Sequence, residues 1–159
     1  MGVYKTGQVC LNGHIITGNI QQREQCSKFC TQCGAETITR CLSCNAEIRG
    51  TYHFDGLVAL DDEMTLPLYC HNCGEPYPWT SDALESARIL IDEESELSKD
   101  EKENLKKSLP DLLSENPRTS LAVSRFKRAT MSVGGVLKDA LVQFAASFAC
   151  EAAKSKLGI

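Results

Sequence analysis

No run of about 18 apolar residues occurs in the 159-residue chain, so no segment is suited to cross a bilayer as a helix. The first residues, MGVYKTGQVC, lack the apolar stretch of a secretory signal, and the expected compartment is the reducing cytoplasm. Catalytic signatures are missing as well: there is no phosphate-binding loop, no HExxH and no GxSxG. The zinc-deaminase pattern also fails, because His53-Phe-Asp55 lacks the glutamate that moves the proton and no Pro-Cys precedes a CxxC. With no nucleophile or acid/base constellation, the expectation is a protein without catalytic turnover. Basic residues are outnumbered 17 to 21, and the net charge of −4 argues against a dedicated nucleic-acid binder. Aromatics make up only 6%, and those of the first 80 residues are not interleaved with basic residues as a single-strand binder requires.

Cysteine, by contrast, is abundant and clustered. Eight of the nine cysteines lie before residue 74, and metal-type ligands arrive there in pairs: Cys10-x3-His14, Cys30-x2-Cys33, Cys41-x2-Cys44 and Cys70-x2-Cys73. In a reducing compartment such pairs are metal ligands rather than disulfides, and four pairs make two tetrahedral sites. Zinc is the expected ion, two per chain, since it favours four thiolate or imidazole ligands in closed structural sites. Sequential pairing puts Cys10, His14, Cys30 and Cys33 on one ion and Cys41, Cys44, Cys70 and Cys73 on the other. Alternate pairing would give a RING-type cross-brace. The sequential arrangement is favoured because 34–40 is long enough to hold a strand, Glu36-Thr-Ile-Thr39, between the second and third pairs. Cys26 stands as an alternative to His14 for the fourth position, whereas His53 and His71 are expected to be bystanders.

Asn12-Gly13 supplies a left-handed turn between Cys10 and His14, and Gly34 permits the tight turn after Cys33. Short strands are expected at Val3-Tyr4, Gln8-Val9, Glu47–Gly50, Tyr52–Phe54 and Leu57–Leu60, with turns at Asp55-Gly56 and Asp61-Asp62. The string C-x-N-G-H followed by Phe29-Cys-x-x-Cys-Gly34 resembles a widespread bacterial zinc ribbon. Over most of its length the chain is similar to an uncharacterised bacterial family of small proteins that join this ribbon to a second one and a helical tail. That resemblance implies fold and metal, and no activity.

Composition changes near Trp79, which divides the chain into a double zinc-ribbon module, 1–79, and a helical region, 80–159. The expected class is α+β. Gly74-Glu-Pro-Tyr-Pro-Trp79 reads as an extended connector whose Tyr77 and Trp79 either pack the ribbon onto the next helix or form an exposed platform. A helix is expected from Asp82 to about Glu96, and a second begins with the capping box Ser98-Lys-Asp-Glu101 and ends near Pro110. A long final segment, about 120–156, carries Val133, Leu137, Leu141, Phe144 and Phe148 on one stripe, with a kink at Gly134-Gly135. Cys150 is expected to pack as a small apolar side chain. Charge is uneven: residues 81–117 hold 5 basic and 11 acidic side chains, while 118–159 hold 7 and 2. The favoured reading is a zinc-stabilised protein-interaction or adaptor module whose helical tail binds a partner or a second copy. Nucleic-acid binding, by the ribbon or by Arg118, Arg125, Lys127 and Arg128, is an alternative, as is a RING-like conjugation factor. Peripheral contact with an anionic membrane is a further outcome the basic flank allows.

Overall fold

Short runs of β-branched and aromatic residues between glycines become five strands among the described residues of the first part of the chain. These are β1 (Gly2–Thr6), β2 (Gln8–Cys10), β3 (Ile15–Thr17), β4 (Thr37–Ile38) and β5 (Arg49–Phe54). The computed structural model describes residues 1–56 and 63–159, so the strand expected at 57–60 and the turn after it lie outside the described residues. Two compact units emerge, Met1–Ser81 and Asp82–Ile159.

In the first unit, β1 runs antiparallel to β5 with Tyr4 opposite Tyr52, and a second sheet has the order β3-β2-β4 with Val9 opposite Ile15 and Ile38. The two sheets are tied together by backbone bonds: Gly7 N–H donates to the Ile48 carbonyl, Ile48 N–H to Thr39 and Thr51 N–H to Gly18, each at 2.9 Å. Gly50, expected to separate two strands, instead lies inside one. A Cβ there would collide with the Gly18 carbonyl where the chains cross, so only glycine permits the crossing. Val9, Cys10 and Ile48 are completely buried beneath it. The buried Gln8 amide donates to the Ser27 carbonyl at 2.9 Å and to Thr37 Oγ1 at 2.8 Å, which satisfies the one large polar side chain in that core.

Among the described residues the helices are α1 (Pro78–Glu93), α2 (Lys99–Leu113), α3 (Thr119–Ser132), α4 (Gly135–Phe148) and α5 (Glu151–Leu157). α1 starts four residues before the expected Asp82, because proline in a first helical turn forfeits no hydrogen bond and arrives with a helical φ. Thr80, fully buried, donates to the Leu68 carbonyl at 2.8 Å and fastens that turn. The capping box is present: the Ser98 hydroxyl accepts from Glu101 N–H, and Ser98 N–H donates to the Glu101 carboxylate at 2.9 Å. α2 ends near Pro110 as expected: the proline lies in its last turn and the helix stops at Leu113.

The long final helix is three helices. Gly135 has φ 57, which an α-helix cannot continue through, and a second break falls at Ala149-Cys150, where Cys150 N–H donates to the Leu112 carbonyl at 2.8 Å. Those breaks fold α4 onto α2 and α3, so Val133, Leu137, Leu141 and Phe144 are buried within the unit. Phe148 is half-buried and stacks on Phe144 at 5.6 Å. Much of the basic flank is engaged internally. Arg118 Nε lies 3.3 Å from the Asp111 carboxylate, and Arg125 Nη1 donates to Ser108 Oγ at 2.9 Å. No helix among the described residues is long and apolar enough to cross a membrane.

Candidate metal centres

Three of the four ligand pairs are the same turn. In 30–34, 41–45 and 70–74 the residue after the second cysteine donates its N–H to the carbonyl of the first, at 2.8, 2.9 and 2.9 Å. The first cysteine's own N–H closes the loop onto Ala35, Ala46 or Glu75, at 2.8 Å in each case. The closing residue must be left-handed, and Gly34, Asn45 and Gly74 have φ 74, 62 and 76. Asn45 takes that role because asparagine is the other residue type that tolerates it. The fourth pair is a variant: Gly13, φ 88, donates to the Cys10 carbonyl at 2.9 Å, and His14 takes the place of the second cysteine.

These turns bring together Cys10, His14, Cys30 and Cys33 in one cluster and Cys41, Cys44, Cys70 and Cys73 in another, with every ligand atom of a cluster within 4.8 Å of the others. Pairing is therefore sequential. In the first cluster Cys10 Sγ is 3.7 Å from Cys33 Sγ, and His14 Nδ1 is 3.5 Å from Cys10 Sγ and 3.6 Å from Cys30 Sγ. In the second, Cys41 and Cys73 are 3.8 Å apart and Cys44 and Cys70 are 3.6 Å apart. A tetrahedron with zinc–sulfur bonds of about 2.3 Å and zinc–nitrogen bonds of about 2.05 Å has S···S edges of about 3.8 Å and S···N edges of about 3.6 Å. The measured edges match those values, whereas a disulfide requires about 2.05 Å between sulfurs. The donor set and its spacing fit two zinc ions.

Burial is graded across each cluster: Cys10, Cys30, Cys41 and Cys70 are buried, His14 and Cys44 are intermediate, and Cys33 and Cys73 are exposed. The Ala35 N–H, aided by the Asn12 amide against some desolvation, lowers the Cys33 thiol to about 6. Ala46 N–H, with the Asn72 side chain, lowers Cys44. Burial works against ionisation of Cys70, but the Cys73 and Asn72 N–H groups outweigh it and bring this thiol to about 6. Cys10 is raised by burial. For Cys73 the Glu75 N–H lowers, yet burial and the neighbouring thiols Cys44, Cys70 and Cys41 push it to about 12. Adjacent thiolates repel one another, and a divalent cation is what lets all members of such a cluster ionise together.

Spacing alone did not reveal the groups around the ligands. The Asn12 side chain lowers the Cys33 thiol and the Asn72 side chain lowers that of Cys44, so in each centre an asparagine two residues after a buried cysteine acts on the opposite pair. The signal was present as C-x-N in both places. Tyr77 and Trp79, expected on a connector, are each 2% exposed and stacked at 4.7 Å with 15° between rings, so they form no exposed platform. Trp79 Nε1 donates to the Pro67 carbonyl at 2.9 Å, and its side chain lies against Gly13 of the first centre. Burial raises the Tyr77 hydroxyl, and the nearby Cys70, Cys41 and Cys44 add to the shift, which places that ring beside the second centre. Cys26 belongs to neither cluster, its Sγ lying 3.7 Å from the Ile20 and Gln22 carbonyls. His53 and His71 are also outside both clusters, and Cys150 is half-buried at the helix break.

Residues 3–157 match the model of a bacterial protein family, DUF2321, described as an uncharacterized protein conserved in bacteria. No curated protein and no solved structure matches the chain.

Proposed function

Since the chain belongs to that bacterial family, whose description names no activity, we propose from the geometry of the two clusters that it is a zinc-stabilised interaction module without catalytic turnover. The observation that carries this reading is the pair of four-ligand clusters with tetrahedral edges. A catalytic zinc keeps three protein ligands and an open position for water, whereas each cluster here supplies four side chains and closes the coordination shell. Zinc then acts as a clamp that holds a small, otherwise under-packed framework rigid.

The interaction falls to the helical unit, through binding of a second copy or another protein. α1 and α4 leave a groove of about 340 Å³ between Ala83, Ala87, Leu90, Ala140, Phe144 and Phe148. Small residues on both walls allow close approach of a helix. Elemental analysis and light scattering of the purified full chain test the two parts of the reading. Two zinc ions per chain and a dimer mass that Leu90→Glu reduces to a monomer mass are expected. Fewer than two ions would overturn the structural-zinc reading, and a monomer at every concentration would overturn self-association.

A further inference from the structure

The β1–β5 ribbon carries a row of rings that the core does not use. Tyr4, Tyr52 and Phe54 are 48%, 44% and 49% exposed. Tyr4 and Tyr52 meet across the strands with centroids 4.7 Å apart and planes at 60°, and Tyr52 and Phe54 follow on the same face at 5.2 Å and 77°. The Arg49 guanidinium stands 4.7 Å from the centre of the Tyr4 ring. No carboxylate among the described residues pairs with Arg49. The nearby Glu47 is taken up by Arg40 at 2.9 Å and the Thr6 hydroxyl at 2.6 Å. Lys5, between Tyr4 and Thr6 in β1, alternates to the other side of the ribbon, where its ammonium lies 3.4 Å from the Gln21 amide oxygen. The face thus carries three rings and one cation that no described carboxylate pairs, although the unit as a whole is acidic. Its rings come from residues 4 and 52–54, so their neighbourhood is created by strand pairing and is invisible as a run in the sequence.

We propose that this face binds single-stranded nucleic acid, with bases stacking on Tyr4, Tyr52 and Phe54 and with Arg49 meeting a phosphate. Rings serve any base because every base has a π-face, and the Arg49 guanidinium beside them supplies a backbone contact. A proline-rich peptide would use the rings but would leave Arg49 without a role. The inference adds a ligand to the zinc-held framework, and its failure would leave the zinc count and the mass in solution unchanged.

The test uses the zinc-loaded full chain and a labelled oligothymidylate of about twelve nucleotides, followed by fluorescence anisotropy at rising salt. Binding at low salt is expected, weakened about tenfold by Tyr4→Leu or Tyr52→Leu. Arg49→Gln should reduce the steepness of the log–log salt dependence by about 0.7, one phosphate contact on a single strand. Zinc content verifies folding of each variant, and Phe54→Leu at the end of β5 gives an independent ring variant should Tyr52→Leu lose zinc. Three results would overturn the proposal: no binding at low salt, binding that the ring variants leave intact, or capture of a proline-rich peptide by the same face with no affinity for the oligonucleotide.

Discussion

Cys44 and Cys26 are the same thiol with opposite expected costs. Cys44 Sγ lies 3.6 Å from Cys70 Sγ inside a four-sulfur cluster, whereas Cys26 Sγ faces the Ile20 and Gln22 carbonyls outside both clusters. Cys44→Ser should leave one zinc centre without its fourth ligand, and the loss is large because structural zinc contributes on the order of 10–16 kcal/mol in zinc-finger peptides. Cys26→Ser should shift stability by no more than about 0.5 kcal/mol. Zinc content and chemical denaturation of the two variants check this contrast, and a Cys26 variant that loses zinc would contradict it. The eight side chains in the clusters are legible from spacing alone, because a CxxC turn is local and its geometry does not depend on the rest of the chain. Asn12, Asn72 and Tyr77 are not legible in that way, since each acts on a cysteine brought close by the fold. Asn45 falls between these cases: the turn demands a left-handed residue after the second cysteine, which a comparison of the three knuckles would have shown.

At the level of elements, strong local signals survive and weak ones yield to packing. The Ser98–Glu101 capping box is such a local signal, for the two residues satisfy one another's backbone N–H without outside help. The Ser98 hydroxyl, and after it the Ser98 N–H, lower the Glu101 carboxyl below its ordinary 4.5. Because the folded value is the lower one, the carboxylate stabilises α2 at pH values above the ordinary one. That contribution disappears as pH falls through the lowered value. Glu101→Gln should therefore lower the melting temperature at neutral pH and match the unaltered chain in strong acid. Melting curves across pH measure this, with equal differences at all pH values as the opposing result. Pro78 was a weak signal. It begins a helix expected to start only at Asp82, and α2 runs through Pro110 to Leu113, where Leu109, Leu112 and Leu113 are buried. The Gly134-Gly135 kink is a full break, and the break at Ala149-Cys150 has no proline or glycine to announce it.

At the scale of the molecule, the two ribbons are not independent beads, and this determines how metal should leave. β1 enters the first centre through β2, yet pairs with β5, which lies between the two halves of the second. Ile48 bridges Thr39 and Gly7, Thr51 holds Gly18, and the Trp79–Tyr77 stack touches the first centre at Gly13 and the second beside Cys70. With either ion gone, the sheet crossing at Gly50 and the aromatic stack lose one support, and so little apolar surface remains that the unit cannot hold its fold. A chelator should therefore remove both ions in one transition, with no one-zinc species accumulating. The helical unit has its own core, including the buried Leu105, Leu109, Phe126 and Leu141, and needs no metal to bury it. Most of the far-ultraviolet helical signal should survive chelation, apart from the first turn of α1 at 78–81, which belongs to the unit that carries both clusters. Native mass spectrometry during chelation, read together with circular dichroism, separates the alternatives. A stable one-zinc species would mean that the ribbons fold separately, and loss of most helix with the zinc would mean that the second unit depends on the first.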